Sequence, residues 1–310
     1  MRPSLISHDD AHEVLSWPEA VDALRDGHRL PKAEMRDLLF GPPGAVMLSR
    51  AARIEGIGYG VKAESVFESN AAIGLPNTHG AVLLYAADTG VLRAVIEARC
   101  ITDLKTAADS VLGATLLARP DSRELVIVGA GAVAANLAHA YSALFPALER
   151  ISIWARRPDQ AQALCAKLAT LPVAVRPVTD LPAALASADI VSSATPAQQP
   201  VLRGGWIRPG THVDLIGAFT AQMREADDAL IASAQLYVDS HETTRHIGEI
   251  AAPIASGAIP SDHVIGDLYD LVGGQVPLSR TPETITAFKN GGGAHFDLMI
   301  ADRLLKKLGL

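Results

Sequence analysis

The sequence of 310 residues has few of the features that mark secreted, disulfide-bonded or membrane proteins. It contains two cysteines, Cys100 and Cys165, which are too few for a disulfide framework and lack metal-ligand spacing, so we expect buried thiols. A membrane helix needs about 18 consecutive apolar residues, and no such run is present. The first twenty residues contain no apolar signal core. These absences predict a soluble, cytoplasmic protein with no membrane partner.

Clustered positive charge is also missing. The formal net charge is −7, and Lys and Arg form no basic cluster. Nucleic-acid binding depends on neutralising phosphates with clustered cations, so no nucleic-acid partner is expected. His241 and His246 are five positions apart, one more than the spacing that places two metal ligands on one helix face. We therefore expect no metal.

The middle of the chain alternates short apolar runs with Ala- and Leu-rich stretches. The apolar runs read ELVIV, RISIWA, VAVRPV, DIVSSAT, THVDLIG and AQLYVDS. This alternation predicts a parallel sheet covered by helices on both faces. Residues 113–287 are therefore expected to form a doubly wound α/β domain of the Rossmann type.

The pattern changes before residue 113. GIGYGVKAESVF and GAVLLYAADTGVLRAVIEA have strand character, and the second of these predicts a hairpin that turns at residues 88–90. Ser16 and Glu19 have capping-box spacing, which predicts a helix start. The terminal HFDLMIADRLLKKLGL has helical periodicity. We assign residues 1–112 and 288–310 to a separate α+β domain.

A glycine-rich turn follows the first apolar run of the middle region. Gly129, Gly131 and Ala134 have the G-x-G-x-x-G/A spacing between a predicted strand and a predicted helix. Small residues are needed there because the backbone must approach a pyrophosphate, which the amides of the helix N-terminus bind. The turn therefore predicts dinucleotide binding, with Ala132 and Val133 also in contact with the cofactor.

The end of the next predicted strand distinguishes the two nicotinamide cofactors. An acidic residue there favours NAD, whereas Arg accommodates the 2′-phosphate of NADP. This chain reads WARRP, so Ala155, Arg156 and Arg157 occupy the position and no acid does. The alternative is a solvated pair of surface arginines. We expect NADPH as the cofactor, with NADH possible but weaker.

Several stretches together resemble the ornithine cyclodeaminase/mu-crystallin family. They read GLPNTHGAVLLYAADTG, ITDLKTAADSVLGATLLARPDSRELVIVGAGAVA, IWARRPDQAQAL, VDLIGAFTAQMREADDALI, VDSHETTRHIGEI and ETITAFKNGGGAHFDLMIAD. They follow the family's order along nearly the whole chain. The resemblance implies a Rossmann domain beside a substrate-binding and dimerisation domain made from both termini, and a homodimer.

The resemblance also implies which cations bind the substrate carboxylate. The matching positions here are Arg36, Lys62 and Lys105. Arg36 is matched only by its distance upstream, and the alternative is a surface arginine. Lys105 replaces the family's Arg and so loses its bidentate fork, which leaves open whether it binds the substrate carboxylate, the cofactor pyrophosphate or both.

Further residues are expected to contact the cofactor. Thr106 follows Lys105 and is a candidate phosphate ligand. Asn77, Thr78 and Thr195 complete the expected set of cofactor-binding residues.

One departure from the family bears on the reaction. Cyclodeaminases have an Asp that assists deamination where this chain has Phe219, which we place in the substrate site. Phenylalanine cannot act as a general base. The nearby Asp227 and Asp228 are expected to start a helix instead. The family's ketimine-reducing branch is therefore the better match.

The implied reaction is the NADPH-dependent reduction of a cyclic imino acid. Δ1-Pyrroline-2-carboxylate would give L-proline, and Δ1-piperideine-2-carboxylate could give L-pipecolate. Lys62 is the candidate catalytic residue, which positions the substrate and supplies the proton unless solvent does. The alternatives are an ornithine cyclodeaminase, an open-chain amino-acid dehydrogenase and a mu-crystallin-like ligand-binding protein.

Overall fold

A computed structural model describes residues 2–276 and 279–310. The chain divides into two compact units, of which the first contains Met1–Lys105 with Gly293–Leu310 and the second Thr106–Gly292. The boundaries expected from the sequence, at 112/113 and 287/288, lie a few residues away. The second of these would have cut a strand that belongs entirely to the sheet of the second unit.

The first unit is built on a six-stranded mixed sheet. Its strands are β1 Ser4–Ile6, β2 Glu34–Phe40, β3 Ala45–Ile54, β4 Gly58–Phe67, β5 Thr78–Tyr85 and β6 Leu92–Glu97. Their order is β1-β6-β5-β4-β3-β2, and the β1/β6 pair is parallel while the others are antiparallel. Its helices are α1 His8–Ala11, α2 Trp17–Gly27, the N-terminal part of α3 (Ala98–Leu117) and α11 Ala294–Leu308, with a 3-10 helix at Glu68–Ile73.

The local predictions for this unit are confirmed. Ser16 and Glu19 form the capping box of α2. The β5–β6 hairpin turns at residues 88–90, where Gly90 has a φ of +67° that favours glycine. Strands β2 and β3 were not predicted, because their mixed polar and apolar residues give no clear alternation.

The register of this sheet decides which side chains share a face. In an antiparallel pair, directly opposite residues point to the same side. Arg50 lies opposite Lys62 and also opposite Asp37, so these three form one row across β2, β3 and β4. Helix α11 covers that face, because a Cβ at Gly60 would lie 3.1 Å from Leu298.

The second unit contains an eight-stranded sheet in which every strand pair is parallel. Its strands are β7 Glu124–Val128, β8 Arg150–Trp154, β9 Ala174–Pro177, β10 Ile190–Ser193, β11 His212–Leu215, β12 Gln235–Val238, β13 Val264–Gly266 and β14 Thr286–Lys289, in the order β13-β12-β14-β11-β10-β7-β8-β9. Its helices are the rest of α3, then α4 Ala132–Leu144, α5 Pro158–Lys167, α6 Leu181–Ser187, α7 Asp228–Ser233, α8 His241–Thr244, α9 Gly248–Ser256 and α10 Leu268–Gly273, with a 3-10 helix at Gly204–Trp206.

The doubly wound parallel sheet is therefore confirmed, with all six predicted strands in place. Val126, Val191, Val213 and Leu236 lie in its core, as expected for strands that are buried on both faces. The sequence missed β13 and β14, and β14 occupies a central position between β11 and β12.

Three smaller expectations also have an outcome in the structure. Cys100 and Cys165 are free and buried, as predicted, and burial raises the pKa of the Cys100 thiol to about 12. Asp227 caps α7 by accepting from the backbone amide of Leu230, which confirms a helix start there. Among the described helices, none has the length and apolar character that a bilayer crossing requires.

Candidate active site and cofactor cleft

The glycine-rich turn of the second unit connects β7 to α4. Gly129 has a φ of +129°, and a Cβ there would lie 2.7 Å from the carbonyl oxygen of Ala194. Its amide donates to the carbonyl of Trp154, at 2.8 Å, which fixes the turn against the end of β8. Both the conformation and the close approach therefore require glycine at this position.

Gly131 has a different role in the same turn. It is the N-cap of α4, no side chain caps this helix end, and a Cβ at Gly131 would meet no protein atom within 4 Å. The space in front of the helix is therefore open, and the first amides of a 13-residue helix face it. Such a helix end binds anions, so the turn fits the pyrophosphate of a dinucleotide.

A cleft of about 440 Å³ adjoins this turn. It is lined by Gly129, Ala130, Gly131, Trp154, Ala155, Arg156, Arg157, Gln160, Ala194, Thr195, Pro196, Ala197 and Val201. Six of the predicted cofactor residues lie together here, namely Gly129, Gly131, Ala155, Arg156, Arg157 and Thr195. Ala132 and Val133 form the first turn of α4 beside it.

The sequence analysis missed several residues of this cleft. Trp154 is the last residue of β8, and Ala194, Pro196 and Ala197 lie in the segment that directly follows β10. Ligands of doubly wound sheets bind at the carboxyl ends of the strands, so the strand assignments already contained the signal that could have identified them.

A buried carboxylate holds the loops beside the cleft in place. Glu225 accepts hydrogen bonds from the backbone amides of Thr195 and Gly217, at 2.7 and 2.6 Å, and from the hydroxyl of Ser193, at 2.6 Å. Its side chain therefore connects the ends of β10 and β11. Burial raises the pKa of Glu225, while the charge of Lys289 and the hydrogen bonds from Ser193 and Thr195 lower it. The sequence analysis did not single out this residue.

The other predicted residues of the second unit lie apart from the cleft lining. Phe219 is 64% exposed in the loop after β11. The backbone carbonyl of Thr106 accepts from the Asn290 side chain at 3.1 Å. His241 has a ring nitrogen within 4.8 Å of carboxylate oxygens of Asp267 and Asp270, which together form the capping box of α10. The structure thus places His241 near two acids, whereas the sequence analysis considered only its spacing from His246.

Lys62 is the centre of a charged group in the first unit. Its side chain is buried, and its ammonium donates to the Thr102 hydroxyl at 2.7 Å. It also lies 3.1 Å from a carboxylate oxygen of Glu64 and 3.5 Å from one of Asp297. The sequence predicted Lys62 but neither acid, and Asp297 is brought here by α11 from the far end of the chain.

The register does not bring Arg36 together with Lys62. Arg36 pairs with Ala51 and is therefore on the opposite face of the sheet, where it is exposed and donates to the carbonyl of Met35. The arginine in the row of Lys62 is Arg50, which pairs with Asp37 at 2.7 Å. The substrate-binding role of Arg36 stays a prediction.

The remaining predicted residues of the first unit lie on α3 and at the start of β5. Lys105 is buried in α3, with its ammonium 6.0 Å from the centroid of the Phe296 ring. Asn77 and Thr78 are exposed at the start of β5. Their contacts with a cofactor are not tested by this arrangement and stay predictions.

The parallel sheet, the glycine turn and the cleft at its strand ends define a protein of the Rossmann dinucleotide-binding class. Residues 42–307 match the profile of the ornithine cyclodeaminase/mu-crystallin family. The chain belongs to this family.

Three relatives illustrate the range of similarity. The Δ1-pyrroline-2-carboxylate reductase of Paracoccus denitrificans (strain Pd 1222) is 58% identical over 98% of this chain and 96% of its own length. The ketimine reductase mu-crystallin of Mus musculus is 31% identical over 77% of this chain and 73% of its own. The solved Δ1-pyrroline-2-carboxylate reductase of Thermococcus litoralis, in complex with NADH and L-proline, has a TM-score of 0.92 at 27% identity, covering 98% of this chain and 97% of its own.

Proposed function

We propose that this protein is an oxidoreductase that reduces the C=N bond of cyclic α-imino acids and converts Δ1-pyrroline-2-carboxylate to L-proline. The observation that carries this proposal is the buried ammonium of Lys62 in a chain that is similar over nearly its whole length to a reductase of that substrate. Δ1-Piperideine-2-carboxylate is expected as a second substrate, because one added methylene changes binding by only about 1–3 kcal/mol.

In this proposal the first unit binds the substrate and the second unit binds the cofactor. In the first unit, Lys62 binds the substrate carboxylate through its ammonium, which Thr102 helps to orient. In the second unit, the turn at Gly129 and Gly131 binds the cofactor pyrophosphate, and Glu225 keeps the neighbouring loops in position. The bound nicotinamide cofactor supplies a hydride to the imine carbon.

We assign NADPH as the cofactor in this proposal because of two arginines at the end of β8. Arg156 and Arg157 line the cleft and are exposed, and within the described residues neither has an acidic partner. A 2′-phosphate would supply one. Thr195 lines the same cleft, and Lys105, Thr106, Asn77 and Thr78 stay in the proposed cofactor set.

The arginine pair leads to a prediction on cofactor choice. A charge-assisted contact is worth about 1.5–3 kcal/mol, so kcat/KM for NADPH should exceed that for NADH by about ten- to a hundredfold. The Arg156→Ala/Arg157→Ala variant should lose this preference with little change in kcat for NADH. Arg123→Ala, which removes an exposed arginine paired with Glu149, is the matched control. Equal kcat/KM for the two cofactors in the wild type would contradict the assignment.

We further propose a homodimer formed through the face of the first sheet that is opposite to the face covered by α11. Leu38, Phe40 and Tyr59 are exposed and Leu5 is 77% exposed, and by register all four point away from the face that α11 covers. An apolar sheet face of this kind fits a second copy of the same chain. The cytoplasmic location also stays a prediction.

A substrate panel tests the proposed reaction against its alternatives. NADPH oxidation should follow addition of Δ1-pyrroline-2-carboxylate, whereas ornithine with NAD should release no ammonia. Ammonia from ornithine without imine reduction would favour a cyclodeaminase. Oxidation of NADPH only with pyruvate and ammonia would favour an open-chain dehydrogenase, and binding without turnover would favour a ligand-binding protein.

A further inference from the structure

A second charged side chain lies on the same strand and the same face as Lys62. Glu64 follows two positions later in β4, so the two side chains leave the sheet on one face, about 7 Å apart along the strand. A carboxylate oxygen of Glu64 comes within 3.1 Å of the Lys62 ammonium. The strand therefore presents a positive and a negative group side by side.

Asp297 is the other carboxylate beside Lys62, but the two acids differ in access. The Asp297 side chain is 2% exposed and both its carboxylate oxygens are closed to solvent. The Glu64 side chain is 8% exposed. A ligand held by Lys62 can therefore reach Glu64, whereas Asp297 acts on that ligand only through Lys62.

The neighbouring strand leaves room for Glu64. Gly80 of β5 lies opposite Glu64, and a Cβ at Gly80 would come within 2.6 Å of the Glu64 Cγ and 2.2 Å of the Ala63 carbonyl oxygen. A larger residue at position 80 would therefore displace the Glu64 side chain. Glycine at position 80 therefore leaves room for the Glu64 side chain beside Lys62.

The charges of this group match a substrate with two charges of its own. Within this group of three side chains, one ammonium faces two carboxylates, so Glu64 disfavours a ligand whose only charge is a carboxylate beside Lys62. A protonated cyclic α-imino acid has its positive N–H next to the carbon that bears the carboxylate. Such a ligand can satisfy both Lys62 and Glu64.

We propose that Glu64 accepts the N–H of the protonated ring nitrogen while Lys62 binds the carboxylate, so that Glu64 selects nitrogen-containing ring acids. This assignment rests on the proposed function. The nicotinamide cofactor would supply the hydride that adds to C2, the C=N π electrons would move to the nitrogen, and Glu64 would keep its hydrogen bond to the N–H. The product amine then takes one proton from solvent, so neither Lys62 nor Glu64 needs to lose one.

Two ligands that differ in the ring nitrogen test this assignment. The dissociation constants of L-proline and cyclopentanecarboxylate are measured by calorimetry on the NADP⁺-loaded protein. The wild type should bind L-proline about tenfold more tightly or better, and Glu64→Gln should remove about that factor for L-proline while changing cyclopentanecarboxylate less than about twofold. Glu55→Gln, an exposed acid in the β3–β4 turn, is the matched control and should change neither.

Each outcome separates this assignment from the proposed function. Equal affinity of the wild type for the two ligands overturns the role of Glu64, whatever the variants do. An equal loss of both ligands in Glu64→Gln also overturns it, because Glu64 would then act only by positioning Lys62. A wild type that neither binds L-proline nor reduces the imine rejects the proposed function instead.

Discussion

Replacing Lys62 with methionine is expected to lower kcat/KM for Δ1-pyrroline-2-carboxylate by about a thousandfold. Removing one partner of a desolvated charge pair costs about 2–5 kcal/mol, and about 4 kcal/mol corresponds to that factor. Lys62 is buried, so water does not replace its ammonium effectively. Steady-state kinetics at saturating NADPH measure the effect.

The same substitution also affects stability, and a second variant separates the two effects. Without Lys62, the carboxylates of Glu64 and Asp297 lose their ammonium partner, which costs about 3–5 kcal/mol for a buried pair. Lys62→Met/Asp297→Asn removes one of these charges and should recover stability but not activity. Lys167→Met, at an exposed lysine of α5, is the control. A folded Lys62→Met protein with near wild-type kcat/KM would remove Lys62 from the site.

Because of Asp214, the free energy of unfolding of the second unit is expected to fall as the pH rises. Burial raises the pKa of this carboxyl to about 7, although hydrogen bonds from Ser192 and Ser110 and the charge of Lys289 lower it. In the unfolded chain the pKa is about 3.9. The folded state therefore binds the proton more tightly, and its contribution to stability is full below pH 4 and is lost as the pH rises through about 7.

Comparison with Asp214→Asn isolates this effect. Between pH 5 and pH 8 the difference in unfolding free energy should shift in favour of the variant by about 3 kcal/mol. Buried histidines such as His212, whose pKa burial lowers to about 3, change with pH in the opposite sense but are common to both proteins and cancel. Denaturant unfolding at the two pH values gives the difference. A constant difference would show that Asp214 is already ionised at pH 5.

The sequence predicted most of the second unit because its signals are local. Apolar runs on both faces identify parallel strands, and the turn at Gly129 and Gly131 has a spacing that requires no tertiary knowledge. Strand β14 was missed because its four residues, TAFK, follow no alternation and end in a buried Lys289. This lysine is accommodated by the backbone carbonyls of Leu215 and Asn290, which no pattern in the sequence indicates.

The first unit was harder to predict because its site depends on register and on distant chain segments. Whether Arg36 or Arg50 shares the face of Lys62 depends on a pairing offset of one residue, and such an offset reverses every side chain. Asp297 reaches Lys62 only because α11 packs on the sheet. The family resemblance therefore identified the lysine, whereas nothing in the sequence identified the acids around it.

Transfer of deuterium from cofactor to product tests the central claim most directly. NADPH carrying deuterium at C4 of the nicotinamide, on the transferred face, is incubated with Δ1-pyrroline-2-carboxylate and the protein, and the product is analysed by chiral chromatography and mass spectrometry. The proposed reduction predicts L-proline that contains one deuterium at C2 for each NADPH oxidised. Proline without deuterium, or no proline while ornithine yields ammonia, would contradict it.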